Sequence, residues 1–265
     1  MYSLPQLGRR YLQYYFHASN SKGHGMHSPF VFEFITKLLN DKTSYPAYGQ
    51  IEALRKRLKG DTELIRVEDF GAGSVYQSEV ERSIGAIARN AAKPPKYGQL
   101  LHRMVRYYQP ANLLELGTSL GITSAYLASG NPAARLTTFE GAHEIAIRAT
   151  TNLASLGLHN VQVIEGNFDD TLPGFLQTAG EIDFAFIDGN HRKAPTLRYF
   201  DWLLAQQGND SIYIFDDIHW SREMEEAWDE IRQHPSVRCS IDLFFIGIVV
   251  FRREFREKQH FSIRF

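Results

Sequence analysis

From about residue 98 onward, short apolar runs alternate with longer segments whose apolar residues recur at spacings of three and four. The runs at 112–116, 136–140, 161–166, 182–188 and 211–217 read as β-strands. The segments 99–108, 119–127, 144–156, 171–178, 195–204 and 221–233 read as helices. Two last runs, 240–246 and 248–253, flank Gly247, and so short a link predicts an antiparallel pair. Strands alternating with helices predict an α/β fold with a doubly wound, mostly parallel seven-stranded sheet. The run at 182–188 is apolar almost throughout and predicts a central strand.

The first 95 residues carry a different pattern. Helices are predicted over 11–16, 29–39, 51–58 and 78–92, with Pro29 in the first turn of the second. With no clear strand pattern, residues 1–95 are expected to form a helical cap, and Pro94-Pro95 marks the start of a second domain, 96–265. The stretch 23–30 holds His24 and His27. It reads as a turn with Ser28 capping the next helix, or as a loop that brings His24 or His27 to substrate. A metal site is not expected there, because no Cys, Asp or Glu stands nearby. Glu68-Asp69-Phe70-Gly71-Ala72-Gly73-Ser74 imitates a nucleotide-binding turn. It is read as structural, because no strand ending in an acid follows at the needed distance.

Composition narrows the class. A hydrophobic fraction of 43% over 265 residues suits a sizeable core, and the net charge of −1 provides no overall basic field for nucleic acid or an anionic membrane. No run approaches the roughly 20 apolar residues of a membrane span. The one cysteine, Cys239, cannot form an internal disulfide. With no basic-then-apolar pattern at the start, a cytoplasmic location is expected. Monomer and homodimer are both open.

The chemistry is expected around Leu113-Leu114-Glu115-Leu116-Gly117-Thr118-Ser119-Leu120-Gly121-Ile122-Thr123-Ser124, a strand, a glycine turn and a helix start. Gly117 suits a tight turn, and Gly121 suits close approach of a helix or a ligand. The spacing is not G-x-G-x-x-G, which weighs against NAD. The next strand ends in Glu140, 25 residues after Glu115, and an acid at that strand tip is placed to hold a ribose. Glu115, Glu140, Asn167, Asp188, Asp216 and Asp217 all end predicted strands or begin the turns after them, where open α/β sheets bind ligands.

These residues carry a resemblance. Glu115-Leu116-Gly117 with Gly121, then Phe139-Glu140, Ile187-Asp188 and Phe215-Asp216-Asp217 resemble the class I S-adenosylmethionine-dependent methyltransferases. Gly98-Gln99-Leu100-Leu101 narrows the likeness to the catechol and caffeoyl-CoA O-methyltransferase type, over about 96–252. The resemblance implies S-adenosylmethionine as cofactor and a small-molecule hydroxyl as acceptor. It places Glu140 on the ribose, Gly117, Thr118, Ser119 and Thr123 near the methionine end, and Gly166 and Asn167 at the adenine. Glu115 would order the loop or reach the ammonium group. Asp188 borders cofactor and acceptor. In cation-dependent members an Asp and an Asp-Asn pair hold Mg²⁺. Here the pair is Asp216-Asp217. A metal held by Asp188, Asp216 and Asp217 is therefore one expectation. The other is metal-free deprotonation by one of these acids or by His191, with His219 as second choice. Methylation of nitrogen or of a protein, and cofactor binding without transfer, are the alternatives.

Overall fold

The computed structural model describes residues 1–19, 23, 27–68, 79–90 and 93–265. The fold is α/β with a mostly parallel sheet, as the alternation of runs predicts. The chain divides into two compact units, Met1–Asp41 with Ala179–Phe265, and Lys42–Thr178. Pro94-Pro95 falls inside the second unit, so residues 1–95 are shared between the two.

The 42–178 unit begins with α3 (Pro46–Lys59), β1 (Leu64–Glu68), β2 (Glu79–Ser83) and α4 (Ile84–Asn90). It continues with α5 (Pro95–Tyr108), β3 (Asn112–Leu116), α6 (Ile122–Gly130), β4 (Arg135–Glu140), α7 (His143–Ser155), β5 (Val161–Glu165) and α8 (Phe168–Ala179). β3, β4 and β5 pair in parallel, with Leu116 opposite Phe139 and Glu140 opposite Glu165. Ile51, Leu54, Ile65, Ile84, Tyr126, Ile145 and Leu153 belong to one core that joins the helices and β1.

Three expectations change here. The predicted helix over 78–92 is instead a strand followed by a short helix, and β1 and β2 form an antiparallel pair. In β1, Ile65 and Val67 are buried while Leu64 and Arg66 are exposed, the two-residue period of a strand. Ser83 accepts the Ala86 N–H at 3.2 Å and so marks where α4 can start. The helix expected from Ser119 begins only at Ile122, because Ser119 (φ 47°) and Gly121 (φ 81°) are left-handed and incompatible with an α-helix. α8 starts at Phe168, three residues earlier than expected. The glycine turn at 69–74 lies outside the described residues.

The other unit holds α1 (Leu4–His17) and α2 (Pro29–Glu33), the latter running on as a π-helical turn, Phe34–Leu39. It then has β6 (Phe184–Ile187), α9 (Lys193–Leu204), β7 (Ile212–Asp216), α10 (Arg222–Gln233), β8 (Cys239–Asp242), β9 (Ile246–Val250) and β10 (Gln259–Ser262). The strand order is β10-β8-β9-β7-β6. β6 and β7 are parallel, while β9 is antiparallel to both β7 and β8. β10, absent from the expected seven strands, adds in parallel beside β8. Its alternating half-buried and exposed residues lack the apolar run that reveals a strand in sequence. β6 and β7 are buried throughout, as their apolar sequences require. Ser28 stands at the N-cap of α2 without a side-chain cap bond. His27 is exposed, and His24 lies outside the described residues.

Gly247 is not the hairpin turn. It lies within β9, and the turn is Leu243-Phe244-Phe245. Phe244 is left-handed (φ 69°), and the Asp242 carboxylate accepts its N–H at 2.7 Å. The absence of a side chain at Gly247 makes room for Trp228 of α10, since an added Cβ would stand 2.6–2.8 Å from that ring. Gly247→Ala should therefore destabilise the fold by about 1–3 kcal/mol through overpacking. Urea unfolding should show a lower midpoint with an unchanged slope.

Candidate active site

In the 42–178 unit, the site grows from the carboxyl ends of three parallel strands. Glu115, in β3, is completely buried. A carboxylate in that position needs hydrogen-bond donors. The Ser124 hydroxyl from α6 donates to its Oε2, and Thr138 of β4 donates to the same oxygen at 2.6 Å. The Thr118 and Thr138 hydroxyls meet at 2.6 Å. The N–H groups of Gly117 and Thr118 both donate to the Phe139 carbonyl, at 3.0 and 3.1 Å. The glycine loop is thus tied to the neighbouring strand from its side chains and its backbone.

Glu140 is held in the same way. It ends β4, and its two carboxylate oxygens accept the N–H groups of Ser119 (2.8 Å) and Ala142 (3.0 Å). Burial pushes its pKa up, while the bonds from Ala142, Ser119 and Gly141 pull against that shift. The Glu140 carbonyl accepts the Gly166 N–H at 2.9 Å, joining the end of β5 to the end of β4. Gly166 has φ 130°, and a Cβ there would stand 2.8 Å from the Thr171 methyl group. Asn167 accepts the Asp169 N–H at 3.0 Å and opens α8.

Glu115, Gly117, Thr118, Ser119, Glu140, Gly166 and Asn167 thus cluster at neighbouring strand ends. Two further expected cofactor residues, Gly121 and Thr123, stand at the start of α6. The space beside Gly121 is filled by Leu153 and Ala149 of α7, so this glycine serves helix packing. Thr123 lies within the first turn of α6 and is half-buried. Thr138 and Ser124 were missed by the sequence reading. The available signal was a threonine pair inside an otherwise apolar strand, next to a strand with a buried acid.

The 1–41 and 179–265 unit carries a second set of polar groups, at the ends of β6 and β7. Asp188 follows β6, and His191 Nε2 stands 3.4 Å from its Oδ1. Asn190 (φ 68°) and His191 (φ 28°) are successive left-handed non-glycine residues. Such backbone must be held in place by its surroundings. Asn190 is held by Arg192, which donates to its Oδ1 at 2.9 Å, and by the Tyr199 hydroxyl of α9 at 3.4 Å. Asp216, the last residue of β7, is 1% exposed. Asp217 is left-handed (φ 53°), and its N–H donates to the Phe245 carbonyl at 2.7 Å. Among the described residues, no three His, Cys, Asp or Glu side chains converge as a metal site. The expected clamp of Asp188, Asp216 and Asp217 is not formed. Asp216 is buried at the end of β7, while Asp217, in the left-handed turn that follows, is half-exposed.

His219, the second-choice base, sits between two carboxylates. Its Nδ1 lies 3.0 Å from Glu225 and its Nε2 2.9 Å from Asp242, with the ring stacked on Phe244. Burial pulls its pKa down, but the bonds to Asp242 and Glu225 outweigh this and raise it to about 9. At neutral pH it is an imidazolium with both protons engaged. Tyr213 is fully buried with its hydroxyl on the Leu203 carbonyl at 3.0 Å, a packing role. Trp220, Phe244 and Phe245 line a shallow notch with Asp217, His219 and Leu7.

The network around Glu115 can be probed directly. Thr138→Val keeps the volume but removes one donor to a buried carboxylate, which should cost about 1–3 kcal/mol. Hydrogen exchange at the Gly117–Ser119 amides should quicken in the same variant, and Thr138→Ser should restore both properties.

Known proteins resemble this chain in sequence and in fold. A family model described as a methyltransferase domain matches residues 114–218, from β3 to just past β7. A catechol O-methyltransferase of Niastella koreensis is 30% identical over 160 residues, 59% of this chain and 70% of that protein. The O-methyltransferase TomG of Streptomyces achromogenes, solved with SAM, covers 79% of this chain and 91% of its own, with 19% identity and a TM-score of 0.57. An O-methyltransferase from Bacillus cereus, solved with SAH, covers 83% and 97%, with 20% identity and a TM-score of 0.56. These two structures share the fold. The likeness to the Niastella protein extends over most of that protein's length, and with it the chain belongs to the class I S-adenosylmethionine-dependent O-methyltransferases.

Proposed function

We propose that this O-methyltransferase acts on the hydroxyl of a small molecule, with a hydroxylated aromatic the first class to try. The observation that carries the mechanism is the strained Asn190-His191 turn, which holds the His191 imidazole 3.4 Å from the Asp188 carboxylate. A strained backbone fixed by two side-chain bonds is the kind of feature that marks a working site. The name of the Niastella relative points to the hydroxylated aromatic.

In this reading Glu140 accepts the ribose hydroxyls, its carboxylate already aimed by Ser119 and Ala142. Gly117, Thr118, Ser119 and Thr123 border the methionine end, and Gly166 and Asn167 the adenine. Glu115 orders the loop from within. Bound S-adenosylmethionine supplies a methyl group already activated by its sulfonium. His191 takes the acceptor's hydroxyl proton on a ring nitrogen, and Asp188 orients the imidazole and stabilises its cation. Asp216 shapes the site from its buried position.

The three acids do not fit a shared Mg²⁺, and no step here is routed through one. The division into additions at 1–95 and a catalytic core at 96–265 also belongs to this reading, as does a cytoplasmic location. The latter is supported by a single cysteine, Cys239, which is buried and whose thiol burial pushes up to about 12.

The test is methyl transfer to a panel of hydroxylated aromatics, with and without a chelator. His191→Gln should lower kcat by about 10²–10⁴-fold with little change in cofactor affinity. It should also remove the acidic limb of the pH–rate profile, because wild-type activity falls as the imidazole is protonated. Activity should survive chelation. Loss of activity on chelation, with Mg²⁺ rescue, would restore the metal reading.

A further inference from the structure

The acid-free N-terminal helix has two apolar faces, and only one is covered. Leu7, Tyr11 and Tyr14 face the fold. Leu7 lines the notch, while Tyr11 and Tyr14 lie 5.0 and 5.3 Å from the Phe244 ring. The other face repeats every fourth residue as Leu4, Gly8, Leu12 and Phe16, with Tyr15 beside it. Leu4 is 85% exposed, Leu12 56% and Phe16 74%. Among the described residues, five of the nine exposed large hydrophobics lie before His17. An added Cβ at Gly8 would meet nothing within 4 Å, so the stripe is open along its middle.

Charge decides what this stripe suits. The first acidic residue of the chain is Glu33, and three basic residues, Arg9, Arg10 and Lys22, precede it. This asymmetry is hidden in a net charge of −1. Arg9 is exposed at the edge of the stripe, and the Arg264 guanidinium lies 4.6 Å from the Tyr15 ring centre at its other rim. Arg10 is tethered to Glu225 at 2.7 Å, and the same carboxylate takes the Tyr2 hydroxyl, so the helix is anchored on its inner side. A basic helix with an open apolar and aromatic face suits a membrane surface. A second copy fits poorly, because a symmetric contact would set one acid-free helix against another, cation facing cation.

We propose that the outer face of α1 docks on an anionic phospholipid surface. The helix lies on the bilayer with Leu4, Leu12 and Phe16 in the headgroup region and Arg9 among the phosphates. It does not span, since no described helix is long and apolar enough to cross a membrane. The net charge of the whole chain gives no hint of this, because the effect is local to one helix.

The test is co-sedimentation of the full chain with vesicles of phosphatidylcholine mixed with phosphatidylglycerol, and with vesicles of phosphatidylcholine alone. The wild type should pellet with the anionic vesicles, and less so as salt rises. The double variant Leu12→Ser/Phe16→Ser should lose at least about tenfold in partitioning, given the apolar area removed. Arg9→Glu should weaken binding, and Ile147→Ser, an exposed apolar residue elsewhere, should leave it unchanged. Because the altered side chains are exposed, unchanged circular dichroism and S-adenosylmethionine affinity should accompany the loss. Equal pelleting of wild type and double variant would overturn the proposal. So would no pelleting of the wild type, or a wild-type dimer in light scattering that the double variant makes monomeric.

Discussion

A single buried carboxylate, Glu115, sets the geometry of the strand ends in the 42–178 unit. Glu115 is wholly removed from solvent, and hydroxyl donors brought from α6 and β4 help make that placement tolerable. Because Thr138 also meets Thr118, the same network fixes the first side chain after Gly117. Once the loop is held, the Ser119 N–H can point at Glu140, and Glu140 keeps its carboxylate at the tip of β4. Glu115, Thr138, Thr118, Ser119 and Glu140 are thus linked through successive hydrogen bonds and the short loop between them. Remove one member and the next loses its orientation.

The acids at the ends of β6 and β7 obey a different rule. Their roles are set by backbone direction, not by charge. Asp216 still belongs to its strand and is buried, while Asp217 has turned into the left-handed region and is half-exposed. The two histidines diverge for an equally local reason. His219 lies between Glu225 and Asp242 and is held as a cation. His191 has one nearby carboxylate and a strained backbone behind it. Sequence spacing alone makes both plausible bases, and only their neighbours separate them.

The regular part of the fold was legible because burial on both faces leaves a continuous apolar run, as in β6 and β7. The strand-end acids were legible for the same reason, as polar residues closing such runs. What sequence hid is what depends on left-handed backbone or on contacts distant in the chain. The late start of α6 follows from Ser119, a residue with no marked preference for φ 47°. β10 lacks an apolar run because one of its faces is exposed. Gly247 looked like a turn and is a space for Trp228. Gly121 suited close approach of a helix or a ligand, and α7 packs beside it.

On the proposed function, the strand-end network in residues 115–167 is prepared for S-adenosylmethionine, with Glu140 as its anchor. Calorimetric titration of S-adenosylmethionine into wild type and Glu140→Ala tests it most directly. Wild type should bind saturably and the variant should lose at least about tenfold, as expected when charge-assisted bonds to two hydroxyls are removed. Equal affinity in the two proteins, with both folded, would contradict it.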